Sequence, residues 1–253
     1  MKKTSTQVKK KSKKGLIITL SVISAVLLIA VIAAVIYLNV YYKADETAVE
    51  TFMEGGIQGI EIEDGVFAFE PEEPVAGMIF YPGGKVDARS YFPLMQACAE
   101  NGILAIIVEM PYRLAVFDVN AADGIKELYP EVEGWYIGGH SLGGSMAASY
   151  LSEHKAEFDG IILLASYSTE DLASGRLKAL SIYGSNDGVL SLDKYQSNRE
   201  NLPTNTLEYI ISGGNHAGFG MYGEQSKDGA STLEVGEQIQ ITADQILNFV
   251  RED

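Results

Sequence analysis

The first long feature of the hydrophobic pattern is an unbroken apolar run from Leu16 to Leu38, 23 residues without a charge. As a helix it would cross roughly 30 Å of hydrocarbon while satisfying its own backbone. Lys43 to about Gly56 is polar and acidic and reads as a juxtamembrane stalk. Ile60 to Phe69 alternates apolar and acidic residues about Asp64-Gly65, which predicts a β-hairpin at a sheet edge. Beyond Pro74, short apolar runs alternate with helical patterns. Strands are expected at Ala76–Tyr81, Ile103–Val108, Trp135–Gly138, Ile161–Ala165, Leu177–Tyr183 and Thr206–Ile211. Helices are expected near Ser90–Asn101, Ala121–Leu128, Leu142–His154, Leu192–Asn201 and Val235–Val250. This alternation predicts an α/β fold, a mostly parallel central sheet with helices on both faces, preceded by one transmembrane helix. The expected divisions are a basic tail over 1–15, the transmembrane helix over 16–40, the stalk over 41–56 and the α/β domain over 57–253.

Charge sharpens the reading of the apolar run. Seven lysines (Lys2, Lys3, Lys9, Lys10, Lys11, Lys13, Lys14) precede it with no acidic residue. By the positive-inside rule the N-terminus is cytoplasmic and the domain lies outside, with Tyr37, Tyr41 and Tyr42 at the outer interface. The competing reading is a cleaved signal peptide, for which Ala33, Ala34 and Ala44 are small enough to suggest cleavage. The run, however, exceeds a signal-peptide core, and no A-x-A follows it. Without those seven lysines, 12 of the 19 cationic residues face all 34 acidic ones, a net of −22. Such a surface repels nucleic acid and disfavours anionic esters. Lys85, Arg89 and Arg113 read as solvated surface charge. Cys98 is the only cysteine, so no intramolecular disulfide forms, and its apolar helical context reads as core packing.

The candidate chemistry begins at Gly138-Gly139-His140-Ser141-Leu142-Gly143-Gly144. G-x-S-x-G between a strand and a helix is the context of a nucleophile elbow, with Gly139 and Gly143 allowing a turn too sharp for side chains. A serine hydroxyl is a poor nucleophile unless a histidine takes its proton and a carboxylate holds that histidine's tautomer. Asp187, in the turn Ser185-Asn186-Asp187-Gly188 after a strand, and His216, in a glycine-rich loop after the next, supply both in the order Ser, Asp, His. Asp171 and Asp193 compete for the acid. His140 should turn toward the sheet, and His154 ends a helix where a cation suits the dipole. The oxyanion hole should combine the N–H of Leu142 with one from Tyr81-Pro82-Gly83-Gly84-Lys85, Gly84 first and Lys85 second. No phosphate loop, metal-spaced His/Cys set or dinucleotide fingerprint is present, so neither metal nor cofactor is expected.

Tyr81–Lys85, Gly139–Gly143, Gly184–Asp187 and Gly214–His216 together resemble the small, lidless α/β-hydrolases related to the dienelactone hydrolases. The resemblance spans about Ala76 to the C-terminus and implies the α/β-hydrolase fold. Dienelactone hydrolases carry cysteine at the elbow where this chain has Ser141, so it implies a serine esterase acting on a small-molecule acyl substrate. A cell-envelope transacylase uses the same residues with another acceptor. A non-catalytic binding module is the remaining alternative, and it has no need of Ser, Asp and His together. Ser166–Arg176, a common place for a lid, is too short to build one, which predicts a preference for short acyl chains.

Overall fold

A computed structural model describes residues 13–252; the expected basic tail, 1–15, falls largely outside them. Helix α1, Lys13–Asn39, realises the apolar run. Within it Gly15–Asn39 has a hydropathy of 3.0 and no buried residue, long and apolar enough to cross a membrane. The chain divides after Val40, and Tyr41 opens a second compact unit that runs to the C-terminus.

That boundary corrects the stalk. Tyr42 bridges to Val86. Helix α2, Glu46–Met53, is capped by Asp45, whose carboxylate accepts the Ala48 N–H at 3.1 Å. Val49 and Met53, one turn apart, are buried in the domain core. The acidic composition of 41–56 masks this i, i+4 apolar pair, and the pair is what folds the segment back.

The hairpin is present as β1 (Ile60–Glu63) and β2 (Val66–Phe69), antiparallel about Gly65 at φ 73°. Then follow β3 (Ala76–Tyr81), α3 (Phe92–Glu100), β4 (Ile103–Val108), β5 (Trp135–His140) and α4 (Leu142–Glu153). The chain continues through β6 (Gly160–Leu164), β7 (Lys178–Gly184), α5 (Leu192–Ser197), β8 (Leu207–Ile211) and α6 (Val235–Arg251). The sheet order is β1-β2-β4-β3-β5-β6-β7-β8, with β3 to β8 all parallel. Strand residues alternate between two cores. Met78 and Phe80 pack with Leu94 of α3 and Ile246 of α6, while Ile79 and Tyr81 pack with Ala147 and Leu151 of α4. Burial on both faces explains why these strands read as continuous apolar runs.

The helix expected over 121–128 is absent. Only Lys126–Leu128 forms a single 3-10 turn. Gly124 sits at φ 80°, incompatible with a continuing helix, and the Ala122 N–H donates to the Tyr81 hydroxyl at 3.0 Å. Residues 166–176 hold no regular element, in keeping with the short connection read there. The order in which strands are added reverses at β3, with β4 on one side and β5 on the other. That switch point is where open α/β sheets form a crevice at their carboxyl edge.

Candidate active site

Ser141 follows directly on β5 at φ 52° and ψ −120°, a conformation that side-chain-bearing residues rarely adopt. Packing of bare backbone enforces it. A Cβ on Gly143 would stand 2.2 Å from the Tyr81 carbonyl oxygen and 2.3 Å from that of Pro82. One on Gly139 would meet Tyr81 O and Gly143 C at 2.6 Å. The turn is therefore wedged against the end of β3, and only hydrogen fits between. Hydrogen bonds hold it from the other side: Ser141 N–H donates to Leu164 O at 2.9 Å, and the Ser166 hydroxyl donates to Ser141 O at 2.6 Å.

The same wedge brings the glycine loop onto the elbow. A Cβ on Gly84 would lie 2.8 Å from Leu142 Cδ2. Among the described residues, the N–H groups of Gly84 and Leu142 donate to no acceptor, whereas their neighbours are committed. Gly83 N–H donates to the Tyr91 hydroxyl at 3.1 Å, and Lys85 N–H to Arg113 O at 2.7 Å. Of the two residues considered from sequence, Gly84 is thus the one with an N–H to offer. Lys85 itself takes φ 64°.

Asp187 and His216 come from the loops after β7 and β8 and meet at 2.8 Å, Nδ1 to Oδ2, with side chains only 1 % and 2 % exposed for His216 and Asp187. An ionised carboxylate only accepts, so Nδ1 carries the proton and Nε2 presents its lone pair. Nε2 is buried and has no hydrogen-bond partner. The second Asp187 oxygen accepts Val189 and Leu190 N–H, both at 2.8 Å, which fixes the carboxylate. Asp171 instead accepts the Ala173 N–H, and Asp193 lies in the first turn of α5. His154 caps α4, stacks on Tyr150 and pairs with Glu157 at 2.9 Å.

Three contributors have no signature in sequence. Asp228 accepts the His216 and Ala217 N–H groups at 3.2 and 2.8 Å and Gly188 N–H at 3.0 Å, tying the histidine loop to the aspartate loop. It sits in an ordinary Lys227-Asp228-Gly229 turn, with no spacing to mark it. Ser166 is simply the second residue past β6. His140, expected to face the sheet, is buried with its ring 4.5 Å from that of His216 and its Nδ1 2.8 Å from the Tyr91 hydroxyl. Burial, and next the nearby His216, hold its pKa well below the ordinary histidine value. A cavity of about 630 Å³ lies beside the histidine loop, lined by Asn215, Ala217, Gly218 and Asp228 but by neither Ser141 nor His216. It backs the loop rather than opening on the serine.

The strained turn at Ser141 follows β5 next to the switch point of a parallel sheet, and the Asp187–His216 pair comes from the loops after β7 and β8. The comparisons agree: residues 77–240 match the Alpha/beta hydrolase family, and the chain belongs to it. No curated protein matches it in sequence. Among solved structures it is similar to TT1662 from Thermus thermophilus, at TM-score 0.55 and 15% identity over 74% of this chain and 94% of that one. Another similar structure is a "predicted CIB-like hydrolase" from Thermoplasma acidophilum, at TM-score 0.53 and 18% identity over 76% of this chain and 98% of that one. A third is Est1E from Butyrivibrio proteoclasticus, at TM-score 0.54 and 11% identity over 78% of this chain and 100% of that one. At these identities the likeness is one of fold.

Proposed function

We propose that the chain is a serine hydrolase of carboxylesterase type, held at the extracytoplasmic face of a membrane by its N-terminal helix. The observation that carries the reading is a buried Asp187–His216 pair whose Nε2 is left unpartnered, in a chain whose Ser141 holds a strained backbone directly after β5. His216 Nε2 takes the proton of Ser141 as Oγ attacks an ester carbonyl. The N–H groups of Gly84 and Leu142 receive the oxyanion, which they meet with no competing acceptor. Collapse expels the alcohol, which takes the proton from His216. Water, deprotonated by the same nitrogen, then adds to the acyl-enzyme, and the acid departs as Ser141 recovers its proton. Asp187 keeps Nδ1 protonated and steadies the imidazolium formed on the way. Hydrogen bonds of this kind are often open in free enzymes and tighten on substrate, which accounts for a Ser141 hydroxyl not yet bonded to Nε2.

A charged, membrane-impermeant fluorophosphonate added to intact cells making the full chain tests both parts. Labelling of wild type and none of Ser141→Ala is the expected outcome. Labelling only after the cells are opened keeps the serine and overturns the orientation, and equal labelling of both proteins overturns the serine.

A further inference from the structure

The rim of the site carries chemistry that the serine mechanism does not use. Residues 110–119 leave β4 and cross in front of the glycine loop. Arg113 O accepts the Lys85 N–H at 2.7 Å, and Leu114 Cδ2 lies 3.6 Å from where a Cβ on Gly84 would stand. The single turn Ala115–Phe117 packs on α4, the helix that starts at Leu142. Tyr112 and Arg113 hold φ of 54° and 58°, two consecutive left-handed residues of a kind that persist only where surrounding structure imposes them. The outcome is an apolar group pointing at solvent: Tyr112, Val116 and Phe117 are 57, 48 and 56 % exposed, and the rings of Tyr112 and Phe117 stand edge-on at 5.7 Å.

Two cations border this group in a domain that is otherwise strongly acidic. The Arg113 guanidinium lies 4.0 Å above the Tyr41 ring, and its Nε is buried without a hydrogen-bond partner. Its charge, after burial, lowers the pKa of Lys85, so the two like charges are held near one another. Arg89, on the same loop, pairs with Asp87 at 3.0 Å. Exposed aromatic rings beside cations are the composition of a membrane-interface surface.

The start of the folded unit supplies the third observation. Tyr42 N–H donates to Lys85 O at 2.8 Å and Tyr42 O accepts Asp87 N–H at 2.9 Å, so the entering chain is strapped to the loop that holds Gly84. In sequence only Val40 and Tyr41 separate Tyr42 from the apolar helix that ends at Asn39. The part of the domain nearest in sequence to the candidate span is therefore also the rim of the site.

We infer that the rim formed by Tyr112, Val116, Phe117 and Arg113 docks on a lipid surface, and that the substrate is the acyl ester of an amphiphile taken from that surface. This rests on the serine-hydrolase reading above. It replaces a lid with the bilayer itself, so that methylenes leaving the pocket stay in an apolar medium rather than entering water. The short-chain preference expected from the missing lid then applies to esters dissolved in water and not to esters in a membrane.

The test reconstitutes the full chain in phosphatidylcholine–phosphatidylglycerol vesicles. It compares a water-soluble acetyl ester with a long-chain acyl ester of the same fluorogenic alcohol embedded in those vesicles. In the double variant Val116→Ser/Phe117→Ser, kcat/KM for the embedded ester should fall on the order of tenfold, while the soluble ester changes by less than about twofold. The soluble ester also reports correct folding. Equal loss on both esters, no loss on either, or a wild type that turns over the soluble ester and leaves the embedded one overturns the inference. The serine reading fails separately, through a wild type that neither takes the fluorophosphonate nor hydrolyses the soluble ester.

Discussion

The two halves of the site are built by opposite means. At β3 and β5 the elbow and glycine loop are placed by main chain touching main chain: hydrogens of Gly139 and Gly143 fill gaps that no Cβ enters. At β7 and β8 the aspartate and histidine loops are placed by carboxylates. Asp187 and Asp228 between them accept N–H groups from residues 188, 189, 190, 216 and 217 and the ring nitrogen of His216. The first half holds Ser141 at a strained φ of 52°. The second keeps a buried charge satisfied, because an unpaired carboxylate at 2 % exposure would neutralise itself and lose its hold on the histidine. Close packing suits the part that must hold a strained turn and present bare N–H groups. Hydrogen-bonded loops suit the part that must hold a proton.

The comparison breaks most visibly at Asp187. Asp187→Asn keeps an oxygen for the Val189 and Leu190 N–H groups but turns an amide toward Nδ1, reversing the tautomer. The expected loss in kcat is on the order of 10³ to 10⁴ with an unchanged urea midpoint, read from ester kinetics and equilibrium unfolding. A loss below about tenfold would mean that another group orients His216. On the elbow side the expected effect is on stability. Gly143→Ala drives a methyl into two carbonyl oxygens, both backbone, and should cost about 3 kcal/mol or more in urea unfolding. An unaltered midpoint would show that the end of β3 yields, and that glycine packing is not what places the Gly84 and Leu142 N–H groups.

A smaller effect sharpens the boundary between the halves, where the His140 ring touches that of His216. The folded state holds His140 neutral below its ordinary pKa of 6.5, while the unfolded chain takes up a proton there. Below about pH 6.5 the unfolded state thus binds more protons and stability falls with falling pH, by at most about 1.4 kcal/mol per pH unit for this one group. Urea midpoints at several pH values between 7 and 5 should show a shallower decline in His140→Gln than in wild type. Parallel declines would place the acid sensitivity in other groups.

Legibility followed the same division. The apolar periodicity of residues 76–108 and 135–211 yields the strands within a residue or two, because strands buried on both faces must be apolar throughout. The strained turn at Ser141 is legible because a sharp strand-to-helix turn has few sequences available to it, and the Asp187–His216 contact because each residue follows an apolar strand. The segment over 41–56 and the helix expected over 121–128 were misread. In the first, two apolar residues in an acidic stretch pack into the core; in the second, Gly124 turns to φ 80° and breaks the expected helix.

By itself the amino-acid sequence determined an apolar helix, a parallel sheet and a Ser–Asp–His order, since these depend on hydrophobic period and on residues whose chemistry or smallness is irreplaceable. Only the tertiary structure decided that Gly84 rather than Lys85 has an N–H to spare, that Asp228 and Ser166 hold the two loops, and that Tyr42 is strapped to the glycine loop. It also decided that Tyr112 and Phe117 stand at the rim. Each of these depends on which groups are already spent on partners far away in the chain, and a linear pattern does not record where a hydrogen bond is spent.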